Sequence, residues 1–196
     1  MKRILPLSLA AVALLAAVSA AHASGAAKGD VARGKYVVTV SGCNDCHTPW
    51  KLGPNGPEQD MSRMLSGHPE QLTMPPAPTL PEGPWMVTAS ATFTAWSGPW
   101  GVSFAANLTP DAETGLGKWT EKEFIDTVRS GRHFGRGRPI LPPMPTQNVA
   151  VMTDADLRAV FAYLRSIPAI KNRVPEPRPP AVVSSSKEPA PTPPSR

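Results

Sequence analysis

Both cysteines of the 196-residue chain stand in Ser41-Gly42-Cys43-Asn44-Asp45-Cys46-His47, two residues apart and followed at once by a histidine. A disulfide gains stability from the loop it closes, and this pair would close almost none. The two thiols therefore do not staple a long loop. They act together, with His47 beside them, and the chemistry they share decides compartment, cofactor and function.

The compartment is legible at the N-terminus. Met1-Lys2-Arg3 gives a short basic head, ILPLSLAAVALLAAVSAAHA follows almost without polarity, and Ala21-His22-Ala23 closes the stretch with small residues. This is the pattern of a secretory signal peptide over residues 1–23, and it predicts a soluble periplasmic chain starting near Ser24. An uncleaved membrane anchor is the competing reading. Lys2 and Arg3 account for two of the 20 basic residues, so 18 face 15 acidic ones after processing, a net charge of +3. The sequence pI of 9.5 thus rests on a slight balance. A nucleic-acid footprint needs basic residues clustered on one face, and RSGRHFGRGR (129–138) reads as a solvated loop. Nucleic acid is not an expected partner.

Residues 24–173 form one domain. Gly29–Val40 reads as a short helix, capped by Gly42 just before the cysteines. A long Pro-, Gly- and Trp-rich stretch follows over 48–106. Within it ATFTAW (91–96) alternates, SGPWG turns and VSFAA (102–106) returns, which predicts a short β-hairpin. Two helices announce themselves clearly. Thr120 and Glu123 make a capping box, Trp119 and Phe124 occupy staple positions, and Gly131 ends the helix. Thr153 caps the second, Met152 staples onto Leu157, and Leu157, Val160, Phe161 and Leu164 line one apolar face before Pro168. From 174 to 196 the chain turns proline-rich with little to bury, and reads as a disordered tail.

Three chemistries use paired cysteines. A thioredoxin-like Cys-x-x-Cys opens a helix after a strand in a βαβ unit; here a helix precedes it and no parallel-sheet alternation follows. A two-Cys, two-His zinc site needs a closely spaced histidine pair, and His47, His68 and His133 are scattered. Cys-x-x-Cys-His is the c-type haem attachment sequence. Each thiol adds to one of two neighbouring vinyl groups, and the adjacent histidine is carried beneath the ring to the iron. Cys43 and Cys46 are therefore the covalent anchors of one haem c, and His47 is the proximal ligand.

These residues sit in segments that resemble a known family. GKYVVTVSGCNDCHTP is similar to the first helix and haem motif of class I cytochromes c. NLTPDAETGLGKWTEKEFIDTVRSGRH and LPPMPTQNVAVMTDADLRAVFAYLRSIP resemble the middle and end of cytochrome c domains that accompany periplasmic dehydrogenases. The resemblance implies a mainly α class I cytochrome c fold in which first and last helices cross beside the haem. Two features depart from the pattern. Dehydrogenase cytochrome subunits of this kind often carry three Cys-x-x-Cys-His motifs, and this chain has one. Its 48–106 stretch is a long Pro/Trp-rich insertion.

The ligand opposite His47 sets the function, because His/Met ligation favours electron transfer while an open site admits gas or peroxide chemistry. Met144 lies in ILPPMPTQ, where prolines on both sides hold the backbone extended, directly before the terminal helix. Class I cytochromes c place their ligand methionine there. Met74, with similar proline flanking, is the rival; His68 and His133 are further candidates. Pro99 resembles the proline whose carbonyl orients the proximal histidine, with Pro54 the runner-up. Trp119, Trp100 and Arg138 are candidate donors to the haem propionates. No nucleophile–base pair, phosphate loop or paired carboxylate stands out, so the chain is not expected to be an enzyme. The reading is a periplasmic one-electron carrier between a dehydrogenase donor and a cytochrome or oxidase acceptor. A haem enzyme or sensor with a labile sixth ligand is the alternative, as is a membrane-anchored cytochrome subunit of a dehydrogenase complex.

Overall fold

A computed structural model describes residues 30–180; the leader expected over 1–23 lies outside them. Helix α1 covers residues 30–40. It ends as expected, with Ser41 N–H bonded to Val37 O at 2.9 Å and Gly42 in the left-handed region at φ 65°. Helix α2 (Cys43–His47) follows at once and carries the whole cysteine motif. Two further helices match their sequence signals. In α3 (Glu121–Ser130), Thr120 and Glu123 form the reciprocal capping box and Gly131 closes the helix. In α5 (Asp154–Ser166), the Thr153 side chain accepts from Asp156 N–H, and Leu157, Val160, Phe161 and Leu164 are buried.

These helices build the core. Val37 and Val38 of α1, Phe124 of α3 and Val160, Phe161 and Leu164 of α5 join Leu65 and Leu116 in one apolar cluster, with Trp119 and Met152 packed against it. Gly34 fixes how closely α1 meets α5. A Cβ there would overlap the Ala159 carbonyl oxygen and stand 2.8 Å from Tyr163 Cβ. First and last helices thus touch backbone to backbone, in keeping with the crossing that the resemblance implies. Arg33 adds an ion pair to Asp156 at 2.8 Å. Among the described residues, no helix is long and apolar enough to cross a membrane.

The 48–106 stretch contains two small antiparallel sheets. The hairpin expected around SGPWG is present, with β4 (Ala95–Gly98) paired to β5 (Gly101–Phe104) across Pro99-Trp100. Its first strand starts four residues later than the alternation of ATFTAW implied. Residues 91–94 form a turn instead, with Phe93 left-handed at φ 50° and Ser90 Oγ accepting from Ala95 N–H at 3.1 Å. Thr88–Ala89 (β3) pairs with β4 on the outer edge. A second hairpin, β1 (Trp50–Gly53) with β2 (Gly56–Gln59), went unread in the sequence. Its strands are mostly exposed, so no apolar alternation marked them. A short helix, α4 (Thr146–Ala150), also intervenes between Met144 and α5.

Ordered chain runs past the boundary expected at residue 173. Arg178 pairs with Val102 through two backbone hydrogen bonds of 2.9 Å, adding a strand-like edge to β5. Its guanidinium donates to the Met74 carbonyl at 3.1 Å and lies 5.7 Å from the Phe104 ring centre. A proline-rich composition removes apolar burial, but one arginine supplies enough directed hydrogen bonds to seat this part of the segment. The rest of the expected tail, from 181, lies outside the described residues.

Two buried polar side chains knit loops to this frame. Asn172 is 1% exposed. Its Nδ2 donates to Ser66 O and His68 O at 2.7 and 2.8 Å, and its Oδ1 accepts from Arg63 and from Glu70 N–H at 2.9 Å. His68 is fully buried. The Leu72 carbonyl can only accept, so Nε2 carries the proton towards it at 3.0 Å, and Nδ1 accepts from Thr94 Oγ1–H at 3.0 Å. Burial pushes the His68 imidazolium below its ordinary range.

Two outcomes follow. Asn172→Ala strands four partners and is expected to lower stability by about 2–3 kcal/mol, read from urea unfolding. The unfolded chain takes up a proton at His68 as pH falls through about 6.5 while the folded state resists it, so stability drops on acidification below that point and levels off under the folded value. His68→Gln should flatten that limb relative to the unaltered protein, and equal slopes would refute the assignment.

Candidate functional site

Helical geometry puts residues three and four apart on one face, so α2 gathers Cys43, Cys46 and His47 on a single surface. The two residues between the cysteines hold that helix in place. Asn44 Oδ1 accepts from Thr48 Oγ1–H at 2.8 Å, and Thr48 Oγ1 in turn accepts from Leu65 N–H at 2.9 Å. Asp45 Oδ1 accepts from Gln59 Nε2 at 2.9 Å, and its carbonyl accepts from Trp50 Nε1 at 3.1 Å. The β1–β2 hairpin thereby braces the outer side of the motif.

His47 is fixed by its Nδ1, which stands 2.8 Å from the Ala106 carbonyl oxygen. A carbonyl accepts only, so Nδ1 carries the proton. Burial holds the His47 imidazolium below its ordinary range, against the opposing pull of the Ala106 hydrogen bond. The ring is thus neutral at pH 7 and Nε2 keeps its lone pair, the form in which histidine binds a metal. The carbonyl's owner corrects the sequence expectation. Pro99 lies in the β4–β5 turn and does not orient His47; the segment just beyond β5, not the turn, meets α2. Pro54, in the β1–β2 turn, does not supply the carbonyl either.

Gly67 makes this contact possible. It donates its N–H to His47 O at 2.8 Å, has φ 78°, and lies so near the Ala106 carbonyl that a Cβ would stand 2.7 Å from that oxygen. A carbonyl acceptor carries no side-chain signature, so Ala106 was not readable from sequence. The glycine beside His68 was the one available hint.

Both cysteines are free and half-buried. Burial, with the Asp45 carboxylate nearby, pushes the Cys43 thiol up to about 11 and the Cys46 thiol upward as well. Redox-active Cys-x-x-Cys pairs depend on a lowered thiol pKa, so these environments disfavour disulfide chemistry. The donor set fits a c-type haem: two unpaired thiols on one helical face and a neutral, oriented imidazole beside them.

The remaining candidates separate by surroundings. Met64 and Met152 pack against the core, while Met61 and Met86 are largely exposed. Met74 and Met144 are half-buried outside the core cluster. His68 has both ring nitrogens engaged, which removes it as a ligand. His133 is held edge-on between Trp119 and Phe134, with centroids 5.1 and 4.6 Å away. Trp119 stacks on Phe134 at 4.3 Å, a packing role. Trp100 donates Nε1–H to Ser103 Oγ at 3.3 Å. Arg138 is exposed, and its Nε pairs with Glu176 at 3.2 Å. Among the described residues, Arg63 Nε, Ser66 Oγ and Trp96 Nε1 are the buried side-chain polar atoms without a protein partner.

No protein-family model matches the chain. Sequence similarity reaches curated proteins instead. The chain is 30% identical over 173 residues to the cytochrome c subunit of a quinone alcohol dehydrogenase from Gluconobacter oxydans, covering 86% of this chain and 29% of that protein. It is 37% identical over 65 residues to the gluconate 2-dehydrogenase cytochrome c subunit of Pantoea cypripedii, covering 33% and 14% respectively. It is 25% identical over 142 residues to the fructose dehydrogenase cytochrome subunit of Gluconobacter japonicus, covering 70% and 22%. The chain thus spans less than a third of the length of these relatives. Its similarity to cytochrome c subunits of dehydrogenases is the one the motif-bearing segments implied.

Gly67→Ala is expected to cost about 1–2 kcal/mol for the left-handed backbone alone and to push the Ala106 carbonyl off His47. Thermal unfolding of the haem-loaded protein, compared with Gly56→Ala in the exposed β1–β2 turn, checks it. A loss no greater than that of Gly56→Ala would contradict the proposed close approach.

Proposed function

We propose that this relative of dehydrogenase cytochrome c subunits is a periplasmic one-electron carrier with a single His/Met-ligated haem c in a class I cytochrome c fold. The observation that carries the reading is the constellation on α2: two unpaired thiols on one face, next to an imidazole whose Nδ1 is tied to Ala106. Haem supplies a one-electron ferrous/ferric couple, tuned by its axial ligands.

The chain's own residues supply the rest. Cys43 and Cys46 anchor the ring through thioethers, and their helix is braced by Asn44 and Asp45. His47 presents Nε2 to the iron, and its hydrogen bond to Ala106 fixes the ring orientation and raises its basicity as a ligand. Met144 is the sixth ligand. Its loop is a proline-rich turn over 142–144, not the extended stretch the sequence suggested, its side chain is outside the core cluster, and His68, Met64 and Met152 have other engagements. Arg63 Nε and Trp96 Nε1, buried without a protein acceptor, would suit the acid groups of the ring, alongside Trp119, Trp100 and Arg138.

A dehydrogenase is the proposed electron donor and a cytochrome or oxidase the acceptor; the chain itself performs no bond chemistry on a substrate. The 129–138 segment retains a basic character that would speed encounter with an acidic partner. Its charge is partly neutralised, because Arg129 pairs with Asp154 and Arg138 with Glu176.

Visible spectroscopy on protein matured in a cytochrome-competent host tests the assignment. The mass should exceed that of the processed chain by one haem, and the ferric protein should show a weak far-red thioether-to-iron band. Met144→Ala is expected to abolish the band and Met74→Ala to keep it. Rapid carbon monoxide binding by the unaltered ferrous protein would overturn the reading in favour of an open sixth site.

A further inference from the structure

We propose that Ser103 is a positioning residue that holds the Met144 loop to β5, whose continuation beyond Phe104 also positions His47. The inference rests on the His47/Met144 assignment above. Ser103 is 7% exposed on β5, and its Oγ–H donates to the Pro142 carbonyl at 2.5 Å. Pro142 stands two residues before Met144. Trp100 Nε1–H donates back into the same oxygen at 3.3 Å, which leaves the hydroxyl proton directed at Pro142. The other acceptor in reach, Trp96 O, is 3.5 Å away.

The strand that carries Ser103 has little freedom. On one edge it pairs with β4, and on the other Val102 exchanges two backbone hydrogen bonds with Arg178. Three residues beyond Ser103, Ala106 receives His47 Nδ1 at 2.8 Å. One segment, β5 and the residues that continue it, therefore holds both His47 and the Met144 loop, the first through a carbonyl and the second through a hydroxyl. Within the loop, the prolines at 142, 143 and 145 offer no N–H, so fewer backbone bonds are available to hold it. The Ser103 hydroxyl fills that role. Without it the loop samples conformations in which the thioether has left the iron.

The test uses the ferric, haem-loaded protein and added imidazole, which competes with the Met144 thioether. The unaltered protein and Met144→Ala define the closed and open limits. Since apparent affinity scales with the population of the binding-competent state, Ser103→Ala is expected to bind imidazole about tenfold more tightly than the unaltered protein, and Ser103→Thr to stay within about threefold of it. The haem mass should be unchanged in both. An unchanged imidazole affinity in Ser103→Ala, even with a lowered melting temperature, would mean that Ser103 only packs and would overturn the proposal. If Met144→Ala itself binds imidazole no more tightly than the unaltered protein, the ligand assignment fails first and the role of Ser103 falls with it. Should Ser103→Ala not accumulate, Ser103→Val against Ser103→Thr poses the same question at equal side-chain size.

Discussion

The hydrogen bond from His47 Nδ1 to the Ala106 carbonyl joins the helix bearing the cysteines to a segment about sixty residues downstream, and the local architecture is arranged around it. Gly67 lies flat against the carbonyl because any side chain there would collide with it. His68, next in sequence, is buried with both ring nitrogens satisfied, so the loop carrying Gly67 cannot drift. Asn172 fastens the same loop from the other side through Ser66 and His68. Three polar contacts, none of them large in energy, thereby set the orientation of one imidazole. In a buried setting such a network is specific because leaving any member unpaired is costly.

What could be read from the sequence followed signal type. α3 and α5 were legible to the residue, because Thr120, Glu123, Gly131 and Thr153 speak through side chains with one capping geometry each. The α2 motif was legible because its chemistry dictates its spacing. The β1–β2 hairpin was not, since exposed polar strands paired through the backbone leave no alternation. The β4–β5 hairpin was placed by its turn but begun too early, because ATFTAW alternates for a different reason: Ser90, Thr92 and Thr94 are linked by hydroxyl hydrogen bonds within a turn. Ala106 was unreadable in principle, as a backbone acceptor has no residue preference. Pro99 drew attention by its resemblance to a family proline, but the contact came from Ala106, two residues beyond the end of β5. Trp119 and Arg138 were singled out by type; the structure adds a ring stack for the one and a surface ion pair for the other.

The thiol environments separate two uses of one sequence motif. A dithiol built for exchange exposes a stabilised thiolate, whereas Cys43 and Cys46 are sheltered and held in the neutral form by burial and by Asp45. Asp45 is itself occupied in orienting α2 through Gln59 and Trp50, so the same carboxylate that discourages thiolate formation braces the motif. Residues between paired cysteines are often treated as spacers. Here both have structural tasks.

Arg178 closes the edge of β5 from far along the chain, and synthesis proceeds from the N-terminus. The outer edge of β5 is therefore completed only by a residue more than seventy positions downstream of it. A chain cut short before residue 178 would keep α2 and both thiols but leave that edge of the sheet unpaired.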